Sequence, residues 1–238
     1  MPSAVAEHER WRAERLDELL KEDGWLTLVN LVWLDDGTHR IGGAPGCDIE
    51  LPGTPPLLGL LHVSGNVAQW QPDGAPAQPL PSDAAGKAAV IRHGTTSFFL
   101  IERDGRLALR VRDAESPTRR HFSCIDCFAF DPAWRIEARW DGALARFSLN
   151  GSDHSLRPQK ADADPLHFVI ADAGSGRDTY GGGRFLHVPA PQGDRFILDF
   201  NRAINPPCAF TPFAVCPLPP AENRLPFAVT AGEKTWKG

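Results

Sequence analysis

Methionine is confined to Met1 and tyrosine to Tyr180 in this chain of 238 residues, so one phenol reports on the surroundings of residue 180 alone. No apolar run approaches the ~20 residues that a bilayer span requires, which argues against a membrane protein. The opening MPSAVAEHERWRAERL has no basic stretch leading into an apolar one, so no signal peptide is expected. A strong charge of one sign is missing too: the formal net charge of −5 gives no general attraction to nucleic acid or anionic lipid. Five cysteines, an odd number in a chain long enough to bury a core without staples, read as reduced thiols and so as a cytoplasmic setting. There is no G-x-S-x-G elbow, no H-E-x-x-H pair and no P-loop. Gly181-Gly182-Gly183 leads into a strand pattern rather than a helix, which excludes a dinucleotide fingerprint, and no cofactor is implied.

What is abundant is punctuation. The 22 glycines and 22 prolines break the chain into short segments and disfavour long helices. The spacing predicts one helix, over 5–22, with Trp11, Leu16, Leu19 and Leu20 near one face and Gly24 as a stop. Beyond it, short apolar runs at 25–34, 39–43, 47–51, 57–63, 66–70, 88–92, 96–102 and 106–113 read as strands of an antiparallel sandwich. Asp104-Gly105 marks a hairpin between the last two. The segment 114–131 interrupts the pattern. A second β set follows at 133–140, 143–150, 165–172, 183–189, 195–201 and 227–233, with a hairpin at Asp141-Gly142. The proline-dense stretch 206–226 cannot supply the amides of a central strand and is expected to be an ordered covering loop. The expected fold is therefore mainly β: a helix over 1–24, an antiparallel β-sandwich over 25–118, and a second antiparallel β unit over 119–238 covered by the proline-rich loop.

The run RIGGAPGCDIELP resembles the opening of a forkhead-associated domain, in which an R-I-G-R turn precedes a D-I-x-L strand. The resemblance covers roughly residues 25–113 and implies that family's sandwich. Phosphothreonine recognition there needs an arginine after the glycine and a serine three residues before a histidine. Gly43 stands at the first position and Gly59, three before His62, at the second. The resemblance therefore implies the scaffold without the phosphopeptide chemistry.

The C-terminal half reads RDTYGGGRFLHV, ILDFNRAINPPCAF and CPLPPAENRLPFAVTAGEK, interleaving polar residues with prolines that stiffen a loop enough to hold side chains in place. Tyr180 and Arg184 flank the triple glycine, and Asp199, Asn201, Arg202 and Asn205 lie at a strand end and in the turn after it. GWLTLVNLVWL at 24–34, DPAWRIEARW at 131–140, TYGGGRFL at 179–186, DFNRAINPPCAF at 199–210, CPLPPAENRLP at 216–226 and AGEK at 231–234 strongly resemble the bacterial domain-of-unknown-function family 1684. That resemblance implies bacterial origin, a cytoplasmic setting and a shared β architecture, and no particular activity.

Two readings of these residues stand side by side. In one, the C-terminal β unit binds a small anionic molecule and is an enzyme in its stronger form. Arg184 and Arg202 engage the anion, Tyr180 and Glu222 transfer protons, and Asp199, Asn201 and Asn205 line the pocket. In this reading Tyr180, Arg184 and Arg202 lie within side-chain reach of one another. In the other, the chain is a protein-interaction or scaffold module whose C-terminal motif is a folding clamp, its Asn and Asp side chains satisfying loop backbone. His187, on a strand, reads as a core or rim residue. Cys208 and Cys216 read as small packing groups, a disulfide, metal ligands or a nucleophile; joined to Cys124-x-x-Cys127 they have the makings of a four-thiolate zinc site, but the wide second spacing argues for none. No oligomeric state is specified.

Overall fold

The computed structural model describes residues 3–191 and 193–238 and is mainly β, with a helix α1 (Ala4–Leu19) at its N-terminal end. The chain forms two compact units, one of residues 20–121 and one of residues 1–19 with 122–238. The helix, a segment apart in the sequence, thus groups with the C-terminal unit. It also ends three residues short of the expected 22, where Lys21–Gly24 closes a turn instead (Gly24 N–H to the Lys21 carbonyl, 3.0 Å).

In the unit of residues 20–121, nine strands follow in order: β1 (Leu28–Trp33), β2 (Gly37–Gly42), β3 (Ile49–Glu50), β4 (Gly59–Ser64), β5 (Val67–Pro72), β6 (Gln78–Pro79), β7 (Val90–His93), β8 (Thr96–Arg103) and β9 (Arg106–Asp113). They make two sheets, ordered β1-β9-β8-β7 and β3-β2-β4-β5-β6, antiparallel except for the β2–β3 pair. A short helix α2 (Pro117–His121) ends the unit. Asp104 and Gly105 both take positive φ, 51° and 72°, which matches the twist of the β8–β9 hairpin they close. Ile41, Leu61, Trp70, Phe98, Leu100 and Leu109, drawn from both sheets, share one buried core. Each such side chain contributes ~1.5–3 kcal/mol of burial.

Position 43 shows how tightly one edge of this unit is drawn. A Cβ on Gly43 would lie 2.3 Å from the Thr54 carbonyl oxygen, and one on the neighbouring Gly42 2.4 Å from that of Pro56. The Gly43 N–H meanwhile donates to the Pro55 carbonyl at 2.7 Å. Backbone presses on backbone, so no side chain fits without moving the chain.

The C-terminal unit holds β10 (Arg135–Trp140), β11 (Ala145–Leu149), β12 (Ser152–Leu156), β13 (Leu166–Ile170), β14 (Arg184–Val188) and β15 (Arg195–Asp199). They form a sheet β12-β11-β10-β15 and a two-stranded ribbon β13-β14. Strand β12 is absent from the sequence-based expectation. It is made by Asn150-Gly151, whose positive φ values of 52° and 76° close a two-residue hairpin after β11. Phe168, Leu186, Leu198, Phe200 and Ala231 pack into the unit's core. The expected strand at 227–233 does not form, because the carbonyls that would enter a ladder are taken by a buried arginine. The stretch 206–226 is loop with short 3-10 turns at Pro207–Ala209 and Ala221–Asn223.

On the β13–β14 ribbon His167 faces His187 across the strands, with ring centroids 4.5 Å apart, and the Phe185 ring meets His167 edge-on at 4.4 Å. Burial disfavours the imidazolium and, with His187 adding to it, brings the His167 pKa down to about 4. Between pH 6.5 and 4 the unfolded chain therefore binds the extra proton, so this contribution is whole above 6.5 and is lost as pH falls toward 4. The melting temperature should drop across that window, and His167→Phe should flatten the drop; an unchanged profile would assign it to other groups.

The close packing at position 43 yields a second expectation. Gly43→Arg, which supplies the guanidinium that phosphothreonine recognition would require, should lower the urea midpoint of the unit and confer no phosphopeptide affinity. Stable folding with phosphate-dependent peptide binding would contradict it.

Candidate functional site

Arg184 opens β14 just after the triple glycine, and its side chain is 1% exposed. Its Nη2 pairs with the Asp172 carboxylate at 3.0 Å and donates to the Val229 carbonyl at 3.1 Å. Its Nη1 donates to the carbonyls of Ala231 (2.5 Å) and Glu233 (3.1 Å). The carbonyls of residues 229, 231 and 233 converge on one guanidinium, and the chain bends between them at Gly232, whose φ is 78°, so the segment is not a ladder strand. Burial lowers the Arg184 pKa, and Asp172 opposes that. Asp172 also accepts from the Gly174 amide (2.7 Å) and the Thr179 hydroxyl (3.3 Å), tying the guanidinium to the loop before β14.

The glycines make this approach feasible. Gly183, at φ 90°, would place a Cβ 2.7 Å from the Ile170 carbonyl and 2.6 Å from the Pro219 ring. A Cβ on Gly182 would strike the Tyr180 ring at 2.6 Å, so the ring rests on the turn. The Tyr180 hydroxyl donates to the Cys208 carbonyl at 3.0 Å, away from Arg184. Burial and the bond to Cys208 push its pKa up to about 12, so no guanidinium makes this phenol a stronger acid.

The remaining motif residues are mostly stitches. Asn201 accepts from the Asp131 amide and donates to the Asp131 carbonyl, each at 3.0 Å. Asn223, not singled out by the sequence, does the same at Arg157 (2.7 and 2.8 Å) and also donates to the Val169 carbonyl. Each carboxamide stands in for one residue of a missing strand. Asn205 donates its amide to the Glu233 carboxylate (2.5 Å) and its side chain to the Lys234 carbonyl (2.7 Å). Asp199 accepts from Asn201 and lies 3.4 Å from Arg135 and 3.7 Å from Arg202. Arg202 is 40% exposed in its side chain, with its guanidinium 5.8 Å over the Trp11 ring. Glu222 pairs with Arg157 at 3.4 Å, both half-exposed, rather than with Arg184 or Arg202. Tyr180, Arg184 and Arg202 thus have separate partners. The geometry does not assemble them around one anion, because Arg184 is sealed and both of its Nη atoms are taken by Asp172 and the three carbonyls.

A different hollow lies in the same unit. A cavity of about 230 Å³ opens between one face of α1 and residues 124–127, with Trp11, Leu16, Leu19 and Ile125 as its apolar wall. The 126–128 segment is held there by the C-terminal segment, through Phe128 N–H to the Gly232 carbonyl (3.0 Å) and Lys234 N–H to that of Asp126 (2.8 Å). Arg15 in the lining is neutralised by Glu233 (3.0 Å) and also donates to the Asn205 carbonyl (3.1 Å). Arg12 differs: it hydrogen-bonds the Cys127 thiol inside the cavity, and among the described residues no carboxylate forms an ion pair with it. Burial pushes the Cys127 thiol up, which makes it a weak nucleophile. None of the five cysteines is in a disulfide, and among the described residues no group of three or more His, Cys, Asp or Glu is placed to hold a metal. No local pattern in the sequence marks this cavity, because its two sides are more than 100 residues apart.

The two arginines should separate cleanly on substitution. Arg184→Ala leaves Asp172 and three carbonyls unpaired in the core and should cost ~3–5 kcal/mol. Arg202→Ala removes a half-exposed ion pair and should cost no more than ~1 kcal/mol. Urea unfolding of both variants measures this, and equal costs would refute the assignment.

No curated protein matches the chain. Among solved structures, it is similar to the solution NMR structure of an uncharacterised protein of Haloarcula marismortui, at 32% identity over 50% of this chain and 80% of that one, with a TM-score of 0.42. No helix among the described residues is long and apolar enough to cross a membrane. Residues 141–234, which contain Arg184, Asp172 and the carbonyls that enclose them, match the family described as a protein of unknown function (DUF1684).

Proposed function

We propose that the C-terminal unit binds a small molecule with an apolar body and one anionic group, in the cavity between α1 and residues 124–127. The observation that carries this reading is Arg12, a cation that lines an apolar-walled hollow and, although Glu9 and Glu233 line it too, forms no ion pair among the described residues. A guanidinium so placed matches a carboxylate or phosphate bidentately. Arg202, above the Trp11 ring that lines the cavity, is paired with Asp199 and leaves Arg12 as the group that would meet the anion. At about 230 Å³ the hollow lies below the range of drug-sized sites, so the ligand is a small one. Catalysis forms no part of this reading, since Tyr180 is held protonated and Glu222 is paired with Arg157.

The family motif supplies the framework of the site. Glu233 accepts from both Arg15 and Asn205, so the segment that encloses Arg184 also fixes one side of the cavity. Titration calorimetry with a series of small aliphatic and aromatic monocarboxylates, each set against the amine of the same skeleton, tests the proposal. Carboxylates should bind and amines should not, and Arg12→Ala should weaken binding ~10-fold, the loss of one charge-assisted contact. Equal affinity for both series, or none for either, would refute it.

A further inference from the structure

We propose that Cys208 and Cys216 form a hydroperoxide-reactive dithiol site, with Cys208 the attacking thiolate, Cys216 the resolving thiol and Tyr180 a hydrogen-bond donor at the reacting sulfur. Neither cysteine is in a disulfide, and both are half-buried in the proline-rich loop, beside Pro206-Pro207 and before Pro217. The Cys216 thiol hydrogen-bonds the Cys208 sulfur, so the loop already brings the two sulfurs together. The Tyr180 hydroxyl, donating to the Cys208 carbonyl at 3.0 Å, also lies within hydrogen-bonding reach of that sulfur. Its ring is fixed by the turn beneath it, where a Cβ on Gly182 would collide. The site shares no residue with the lining of the α1 cavity.

The electrostatics agree with the geometry. The bond from the Cys216 thiol, with help from Tyr180 and against partial burial, brings the Cys208 pKa down to about 6. At neutral pH Cys208 is then largely thiolate, the form that attacks an oxidant. The other buried thiols differ: Cys127 is pushed up by burial, and Cys47 donates to the Pro56 carbonyl at 3.4 Å inside the other unit.

The chemistry balances with a hydroperoxide as the only oxidant. The Cys208 thiolate attacks the terminal oxygen of ROOH and the O–O bond breaks. The alkoxide takes a proton and leaves as ROH, and Cys208 becomes a sulfenic acid. The Cys216 sulfur then attacks the Cys208 sulfur, an S–S bond forms, and the sulfenic hydroxyl leaves with the Cys216 proton as water. Two electrons have passed from two thiols to one peroxide, and a small dithiol reverses the change.

The full-length protein is treated with one equivalent of cumene hydroperoxide, alkylated with iodoacetamide and mapped by mass spectrometry. The expected result is a Cys208–Cys216 bridge. Before oxidation, alkylation at pH 6.5 should be several-fold faster at Cys208 than at Cys124. Cys216→Ser should leave a Cys208 sulfenic acid that dimedone traps. Tyr180→Phe should shift the midpoint of Cys208 alkylation to higher pH, a change that a merely structural tyrosine would not cause. A bridge found only at Cys124–Cys127, or Cys208 alkylating no faster than Cys124, would overturn the proposal; both readouts use the unsubstituted chain and so do not depend on any variant folding.

Discussion

The C-terminal unit is organised around one buried cation. Arg184 lies where water cannot solvate it, so every polar group it meets must come from the chain, and the chain supplies one carboxylate and three carbonyls. Much of the local structure follows from that requirement. The glycines at 181–183 allow the strand to enter beside the Ile170 carbonyl and the Pro219 ring, Asp172 turns its loop inward, and residues 229–233 bend at Gly232 around the guanidinium without forming a strand. The clamp is specific because no other side chain offers several donors in one plane at this depth.

Around it, asparagine does the work of absent strands. Asn201 and Asn223 each bind both backbone groups of a distant residue, Asp131 and Arg157, as a ladder partner would. A proline-rich cover has few N–H groups to offer, and these carboxamides make up the deficit. The same economy leaves functional chemistry to residues outside the clamp. Arg12, lining a cavity, and the Cys208–Cys216 pair under Tyr180 have partners that are weak or exchangeable, and such groups remain available to a ligand or an oxidant.

The strands were legible where apolar runs met turn signals. Asp104-Gly105 and the runs beside it became β8 and β9 as the sequence indicated. Ser152–Leu156 was missed although Asn150-Gly151 precedes it, because SDHSL carries no apolar alternation and its strand character comes from pairing with β11. The run FAVTAGE failed in the opposite direction: its composition suits a strand, but Arg184 competes for its carbonyls. The motif residues were found in sequence, yet their roles were not, because an arginine that binds a ligand and one that binds a loop look alike until burial separates them.

By itself the sequence determined a mainly β chain with an N-terminal helix, the position of its hairpin turns, and the region in which polar residues concentrate. These are consequences of local pattern, the period of apolar residues and the conformational freedom of glycine and proline. Only the tertiary structure decided that α1 groups with residues 122–238, that Arg184 is sealed while Arg202 is open, and that Cys216 lies against Cys208. Each of these depends on which distant segments meet and how much water they exclude, and desolvation, which turns a charged side chain from a ligand into a clamp, is a property of the packed chain and not of any stretch of it.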